Sequence, residues 1–319
     1  MVIAFVVAAV VLGISYCCYW VAFYNPERRH GEPVPMPRNW KSGAQGQTLR
    51  SLHRQMCQTP SEQIVISSYD GLKLGGRYYH LHDGAMLQIQ FHGYRGCGER
   101  DLCGLHQLAR EMGHNILVVS QRAGGASEGN TITFGIKEKH DCLAWAKYAA
   151  ERFGTDIPMI LAGVSMGAAT VMMASELELP PNVIGIIADC GYTTPGAIIR
   201  KVSWDVKIPG WLSYPFVLLG ALIFGRFRLW ERGAVDAVAN SKVPILIIHG
   251  EDDRYVPCEM GRQLEKASGG KAVLETFPKA SHATSYVTDP VRYGGIVRAF
   301  LAQCRRKWDD LRRTEKAGC

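Results

Sequence analysis

The sequence predicts an α/β fold: a mostly parallel central sheet with helices on both faces, preceded by one membrane-spanning helix. Three observations carry this. Strand-like and helix-like segments alternate from residue 61 onward. The later strand segments, "PMILAG" (158–163), "VIGIIAD" (183–189) and "PILIIHG" (244–250), are continuous apolar runs, as parallel strands covered on both faces require. The first 24 residues, "MVIAFVVAAVVLGISYCCYWVAFY", carry no charge and exceed the length needed to cross a hydrocarbon core of ~30 Å at about 1.5 Å per residue. With 319 residues, 47% hydrophobic and 20% charged, the chain can bury a substantial core.

In residues 1–24, Tyr16, Tyr19, Trp20 and Tyr24 gather at the C-terminal end, where amphipathic rings favour the membrane interface. Arg28, Arg29, Arg38 and Lys41 follow. By the positive-inside rule that flank stays cytoplasmic, so the expected protein is single-pass in the cell membrane with a cytoplasmic main domain. A cleaved signal peptide fits less well, because no basic residue precedes the apolar run and no small-x-small site ends it. A buried core helix is the other competing reading. Residues 25–60 read as a tether: Pro26, Pro33, Pro35 and Pro37 keep its start extended, and "GQTLRSLHRQMCQ" predicts a short packing helix.

The main domain is expected over 61–305. Ile64–Ser67 and Leu72–Tyr79 are strands joined by the turn "SYDG", giving an antiparallel edge. Strands at 86–91 and 115–120 flank a helix at 105–111; a helix follows at 136–152, where Cys142, Trp145, Ala146 and Ala149 keep helical spacing. After the strand 158–163 comes a helix at 165–175, then strands at 183–189, 244–250 and 272–277, with helices at 258–267 and 290–305. The basic stretch 306–319 reads as a solvated tail that could continue the last helix or meet anionic lipid. Ten scattered cysteines without a CxxC pair point to a reducing compartment and away from structural zinc. The net charge of +7 comes without an aromatic-laced basic patch, so no nucleic-acid partner is expected.

The chemistry gathers around "LAGVSMGAAT" (161–170). A serine hydroxyl becomes a nucleophile only when held exposed beside a base and near donors for the oxyanion it creates. A strand that turns at once into a helix achieves this if small residues sit two before and two after the serine. Gly163 and Gly167 do so around Ser165, making G-x-S-x-G a nucleophile elbow. Met166, next after the serine, would offer one oxyanion N–H, and Tyr94 in "FHGYRG" (91–96) the second. "IIHGEDDRYVP" (247–257) puts acids directly after a core strand, and "ASHATSY" (280–286) puts His282 in a loop before the last helix. The order Ser…Asp…His is that of the elbow-type triad. His92 and His249 read as structural, and His140 as a helix-surface residue. No cofactor or metal is implied.

These four features in this order resemble the α/β-hydrolase superfamily over about residues 60–305, and within it the membrane-anchored bacterial serine hydrolases of the serine aminopeptidase and esterase-like branch. The family pattern H-G-x-x-D-x-x-V-P falls on His249 to Pro257, which selects Asp253 as the triad acid, with Asp252 as the alternative. Many members carry D-x-R-G-H-G-x-S where this chain has "SQRAGGAS": Ser120 and Gly124 replace the acid and the histidine, while Arg122, Gly125 and Ser127 keep their places. The resemblance also implies a cap at about 193–242. Its apolar middle, "PGWLSYPFVLLGALIFGRFRLW", has three readings: packing against the body, lining an acyl pocket, or dipping into the membrane interface with Trp211, Arg226, Arg228 and Trp230 at the rim. The implied function is cleavage of a carboxylic ester, on a small-molecule or lipid-like acyl substrate. The alternatives are a serine peptidase acting on small peptides, for which the cap is poor in acids (Asp205, Glu231, Asp236), and a non-enzymatic scaffold.

Overall fold

A computed structural model describes residues 1–26 and 43–317. Among these, eight strands form one sheet: β1 (Glu62–Ser67), β2 (Lys73–Tyr79), β3 (Leu87–Phe91), β4 (Asn115–Val119), β5 (Met159–Val164), β6 (Val183–Asp189), β7 (Ile245–Gly250) and β8 (Ala272–Phe277). Their order is β1-β2-β4-β3-β5-β6-β7-β8. β1–β2 and β2–β4 pair antiparallel and all later pairs parallel, so the expected antiparallel edge and parallel body are both present. The helices are α1 (Val2–Ala22), α2 (Gly43–Gln58), α3 (Gly98–Asp101), α4 (Cys103–Glu111), α5 (Glu138–Phe153), α6 (Met166–Ala174), α7 (Pro195–Asp205), α8 (Gly210–Ile223), α9 (Ala234–Ala239), α10 (Cys258–Ala267), α11 (Ser285–Thr288) and α12 (Pro290–Ala317).

Strand alternation explains why the central strands are apolar throughout. In β5, Leu161 points into a core shared with Trp145 of α5 and Met172 of α6. Its neighbours Ile160 and Ala162 point into the opposite core, with Leu108 of α4 and Val297 of α12. All six residues of β5 are buried.

α1 has two halves with different surroundings. Val2, Ile3, Phe5, Val6, Val7 and Val10 are exposed, whereas Ser15, Tyr19 and Phe23 are buried. The buried face packs on α8. Gly220 permits the close approach, since a Cβ there would overlap the Ser15 carbonyl. Tyr16 meets Phe224 with ring centroids 5.1 Å apart, and Phe23 meets Phe227 at 5.1 Å. Beyond α1 the chain is sewn into the body: Ile132 N–H donates to Phe23 O (2.8 Å), Asn25 N–H to Asn130 O (2.9 Å), and Tyr19 Oη pairs with Thr131 Oγ1 (2.8 Å). Packing thus extends through residues 23–25, where the tether was expected to start. Arg28, Arg29, Arg38, Lys41 and the prolines at 33, 35 and 37 lie outside the described residues.

α12 runs beyond the expected 305. Trp308 is buried, the guanidiniums of Arg305 and Arg312 stack on its ring at 5.1 and 4.8 Å, and Arg312 pairs with Asp156. A buried aromatic at the right helical spacing carries the helix through the stretch read as tail.

Candidate active site

Ser165 stands between β5 and α6 with φ 57° and ψ −115°. A non-glycine residue adopts that backbone at a cost of roughly 1–3 kcal/mol. Space makes the turn possible. A Cβ on Gly163 would overlap the Gly167 backbone, and one on Gly167 would overlap the carbonyl of Phe91. The two glycines let β5, α6 and the end of β3 close on one another, and Ser165 N–H is held by Asp189 O at 2.8 Å. Met166 opens α6, so its N–H has no intrahelical acceptor and lies at the positive end of the helix dipole.

The structure brings Ser165, His282 and Asp253 into one line. Ser165 Oγ is 3.0 Å from His282 Nε2, and His282 Nδ1 is 2.7 Å from Asp253 Oδ2. Asp253 Oδ1 accepts from the backbone N–H groups of Tyr255 (2.9 Å) and Val256 (2.8 Å), which fixes the carboxylate plane. Asp253 is buried, while Asp252 is exposed at the cavity mouth. His249 steadies the acid turn by donating from Nε2 to Val256 O at 2.8 Å. Burial lowers its pKa. The acid turn presses on the histidine loop at Gly250, where a Cβ would overlap the Ala280 carbonyl.

The turn after β3 is closed by Gly96 N–H to Gly93 O (3.1 Å). Asp101 Oδ2 accepts Gly93 N–H at 3.0 Å, and Arg95 sits at φ 48°. Tyr94 and Ser165 line the same cavity, of ≈ 660 Å³, with Arg100, Asp101, Arg254 and Tyr255. Among the described residues, none of the expected cap stretch 193–242 lines it. α8 lies along α1 instead, with Trp211 and Leu212 exposed.

His92 is structural. Its Nδ1 donates to Gly93 O (2.8 Å) and its Nε2 accepts from Gln121 N–H (3.0 Å), and burial lowers its pKa. His140 is half-buried against the Tyr69 ring. Gln121 was not singled out from the sequence. Its side-chain amide donates to His92 O and accepts from Thr170 Oγ1 at 3.0 Å, tying the end of β3 to α6. Its only signal was its place in the loop that departs from the family. In that loop Ser127 Oγ donates to Ser120 O (2.6 Å) and accepts Gly75 N–H (2.9 Å). Arg122 is buried on Asp141, with two contacts of 2.6 Å, and on Asp70 at 2.9 Å.

Cys190 Sγ comes within 4.8 Å of ligand atoms of Asp253 and His282. Burial pushes its thiol pKa well up, and the two partners already bond each other, so the trio is a poor ligand set for a metal ion.

No protein-family model matches the chain. An uncharacterized protein of Bacillus subtilis, YqkD, is 25% identical over 239 residues, covering 75% of this chain and 78% of that one. The lysophosphatidylserine lipase ABHD12 of Danio rerio is 25% identical over 170 residues, 50% of this chain and 41% of the lipase. Among solved structures, the Pyrococcus furiosus esterase Pf2001 superposes with a TM-score of 0.63 at 22% identity, covering 88% of this chain and 98% of the esterase. That likeness, added to the strand order and the elbow, shows that the chain has the α/β-hydrolase fold.

Proposed function

We propose that this protein is a serine hydrolase that cleaves a carboxylic ester of a lipid-like acyl substrate through an acyl-enzyme intermediate. The observation that carries the reading is the contact chain from Ser165 Oγ through His282 to Asp253, at 3.0 and 2.7 Å. Asp253 accepts a hydrogen bond from Nδ1–H, which keeps the proton on Nδ1 and leaves a lone pair on Nε2 facing the hydroxyl. Ser165 Oγ attacks the carbonyl carbon as Nε2 takes its proton. The oxyanion forms against the N–H groups of Met166 and Tyr94, each worth roughly 3 kcal/mol in such sites. Collapse expels the alkoxide, which takes the proton from Nε2. Water then repeats the sequence on the acyl-enzyme and frees the acid.

In this reading α1 anchors the protein in a membrane with the body on the cytoplasmic side. Support for the anchor comes from a 21-residue apolar helix, 18 residues of which reach a mean hydropathy of 2.4, from exposed apolar side chains along its first half, and from the companion helix α8, itself apolar and partly exposed. An anchor beside the cavity favours substrates that reside in the bilayer. The test is hydrolysis of p-nitrophenyl esters of increasing acyl length by the detergent-solubilised full chain and by Ser165→Ala. Activity that peaks at one chain length and vanishes in the variant supports the reading; equal rates in both overturn it.

A further inference from the structure

We propose that the membrane-facing helix α1 is a working part of the oxyanion turn, and that Arg95 is the positioning residue that joins them. The inference rests on the reading of Tyr94 N–H as an oxyanion donor. Two carbonyls of the last turn of α1, and that of Tyr24 just beyond it, receive side chains from that turn. Tyr94 Oη donates to Ala22 O at 2.8 Å. Arg95 Nη2 donates to Val21 O at 2.9 Å and to Tyr24 O at 2.8 Å. The end of a helix leaves its last carbonyls without intrahelical partners and carries partial negative charge, so a guanidinium fork is a fitting cap.

The turn needs such support. Arg95 is held at φ 48°, a region disfavoured for a side-chain-bearing residue. From the inner side, Asp101 accepts Gly93 N–H and Arg100 donates to Arg95 O at 3.4 Å. From the outer side, the side-chain hydrogen bonds of Tyr94 and Arg95 among the described residues go to Val21 and Ala22 of α1 and to Tyr24 just after it. The Tyr94 ring is further stacked on Phe134 at 5.0 Å, and Phe134 in turn meets Phe23 at 5.9 Å. The peptide that presents Tyr94 N–H is thus clamped between the body and the anchor. A donor that drifts by a fraction of an ångström weakens the bond to an oxyanion while leaving ground-state binding nearly unchanged.

The experiment uses the full chain in detergent, with each preparation titrated by a fluorophosphonate so that rates refer to active sites. Arg95→Ala is expected to lower kcat per site about tenfold or more while KM stays within about twofold, a fraction of the roughly 10²–10³ lost when a whole donor is removed. Affinity for a trifluoromethyl ketone, whose adduct places an oxyanion in the hole, should fall by the same factor. Arg95→Lys keeps a cation and a donor and should recover part of both. If Arg95→Ala does not fold, Arg95→Lys and Tyr94→Phe carry the same comparison at smaller amplitude. An unchanged kcat per titrated site, or a loss seen only in the fraction of sites that titrate, overturns the proposal. A wild-type chain that the fluorophosphonate does not label overturns the serine-hydrolase reading itself, and this inference with it.

Discussion

Asp253→Asn separates orientation of the base from every other property of the site. The carboxylate has two jobs in the structure. Oδ1 accepts two backbone N–H groups at 2.9 and 2.8 Å, and Oδ2 faces His282 Nδ1 at 2.7 Å. An asparagine keeps the first job, because its carbonyl oxygen can take the Oδ1 place, so the turn should hold and the protein should fold. Its amide nitrogen then takes the Oδ2 place and presents a donor to Nδ1. The imidazole must accept there, which moves its proton to Nε2, the atom 3.0 Å from Ser165 Oγ. The base then has no lone pair where the hydroxyl needs one. Such a tautomer change lowers kcat by about 10⁴ in a serine protease of another fold, which is about 5.5 kcal/mol of barrier. A loss of roughly 10³–10⁴ in kcat, with KM little changed, is expected here in steady-state ester hydrolysis. Asp252→Asn, at the exposed mouth of the cavity, should stay within about threefold of wild type, since exposed substitutions seldom reach the chemistry. Near-wild-type kcat in Asp253→Asn, or a larger loss in Asp252→Asn, would refute this account of the acid.

Three further predictions concern the scaffold. Gly167→Ala forces a Cβ onto the Phe91 carbonyl, so thermal unfolding should show a loss of about 3 kcal/mol or failure to accumulate folded protein; a stability equal to wild type would contradict the packing. His106 is buried and His114 half-buried, with pKa values lowered to about 3 and about 4 by loss of solvation, and His92 and His249 are lowered for the same first reason. The unfolded chain binds protons at these sites near pH 6.5 and the folded chain does not. Their contribution to stability is therefore full above that pH and is lost as pH falls from about 6.5 toward 4, which denaturant midpoints at successive pH values should follow; a flat profile would count against it. Membranes carrying the full chain should retain it through alkaline carbonate washing, and release into the supernatant would contradict insertion of α1.

The sequence made the site legible where the signal was local. Ser165 announced itself through Gly163 and Gly167, because a strand, a turn and a helix cannot meet so closely with side chains at those two places. Asp253 and His282 followed from their positions after strands, although Asp253 was separated from Asp252 only through the resemblance. What the sequence left dark were contacts between distant segments. Arg95 reaches Val21 across 74 residues, and no spacing rule connects a turn arginine to the end of the first helix. Gln121 was hidden for the same reason, bridging two elements from a loop. The stretch 210–223 is apolar, and an apolar run reads alike whether it meets a core, a lipid or another helix. The placement of Gly220 against Ser15 and Tyr19 shows that it lies along α1. α12 continues through the stretch whose helical continuation the sequence left open, because the arginines around Trp308, read as solvated, sit over the buried ring.

The most direct test of the central claim is a pre-steady-state burst with mass analysis. The full chain in detergent is mixed with a p-nitrophenyl ester and quenched within the first turnover. The account predicts one equivalent of p-nitrophenol per titrated site and an acyl group on the peptide that contains Ser165, both absent in Ser165→Ala. Turnover without an acylated Ser165, or an acyl group on another residue, would contradict it.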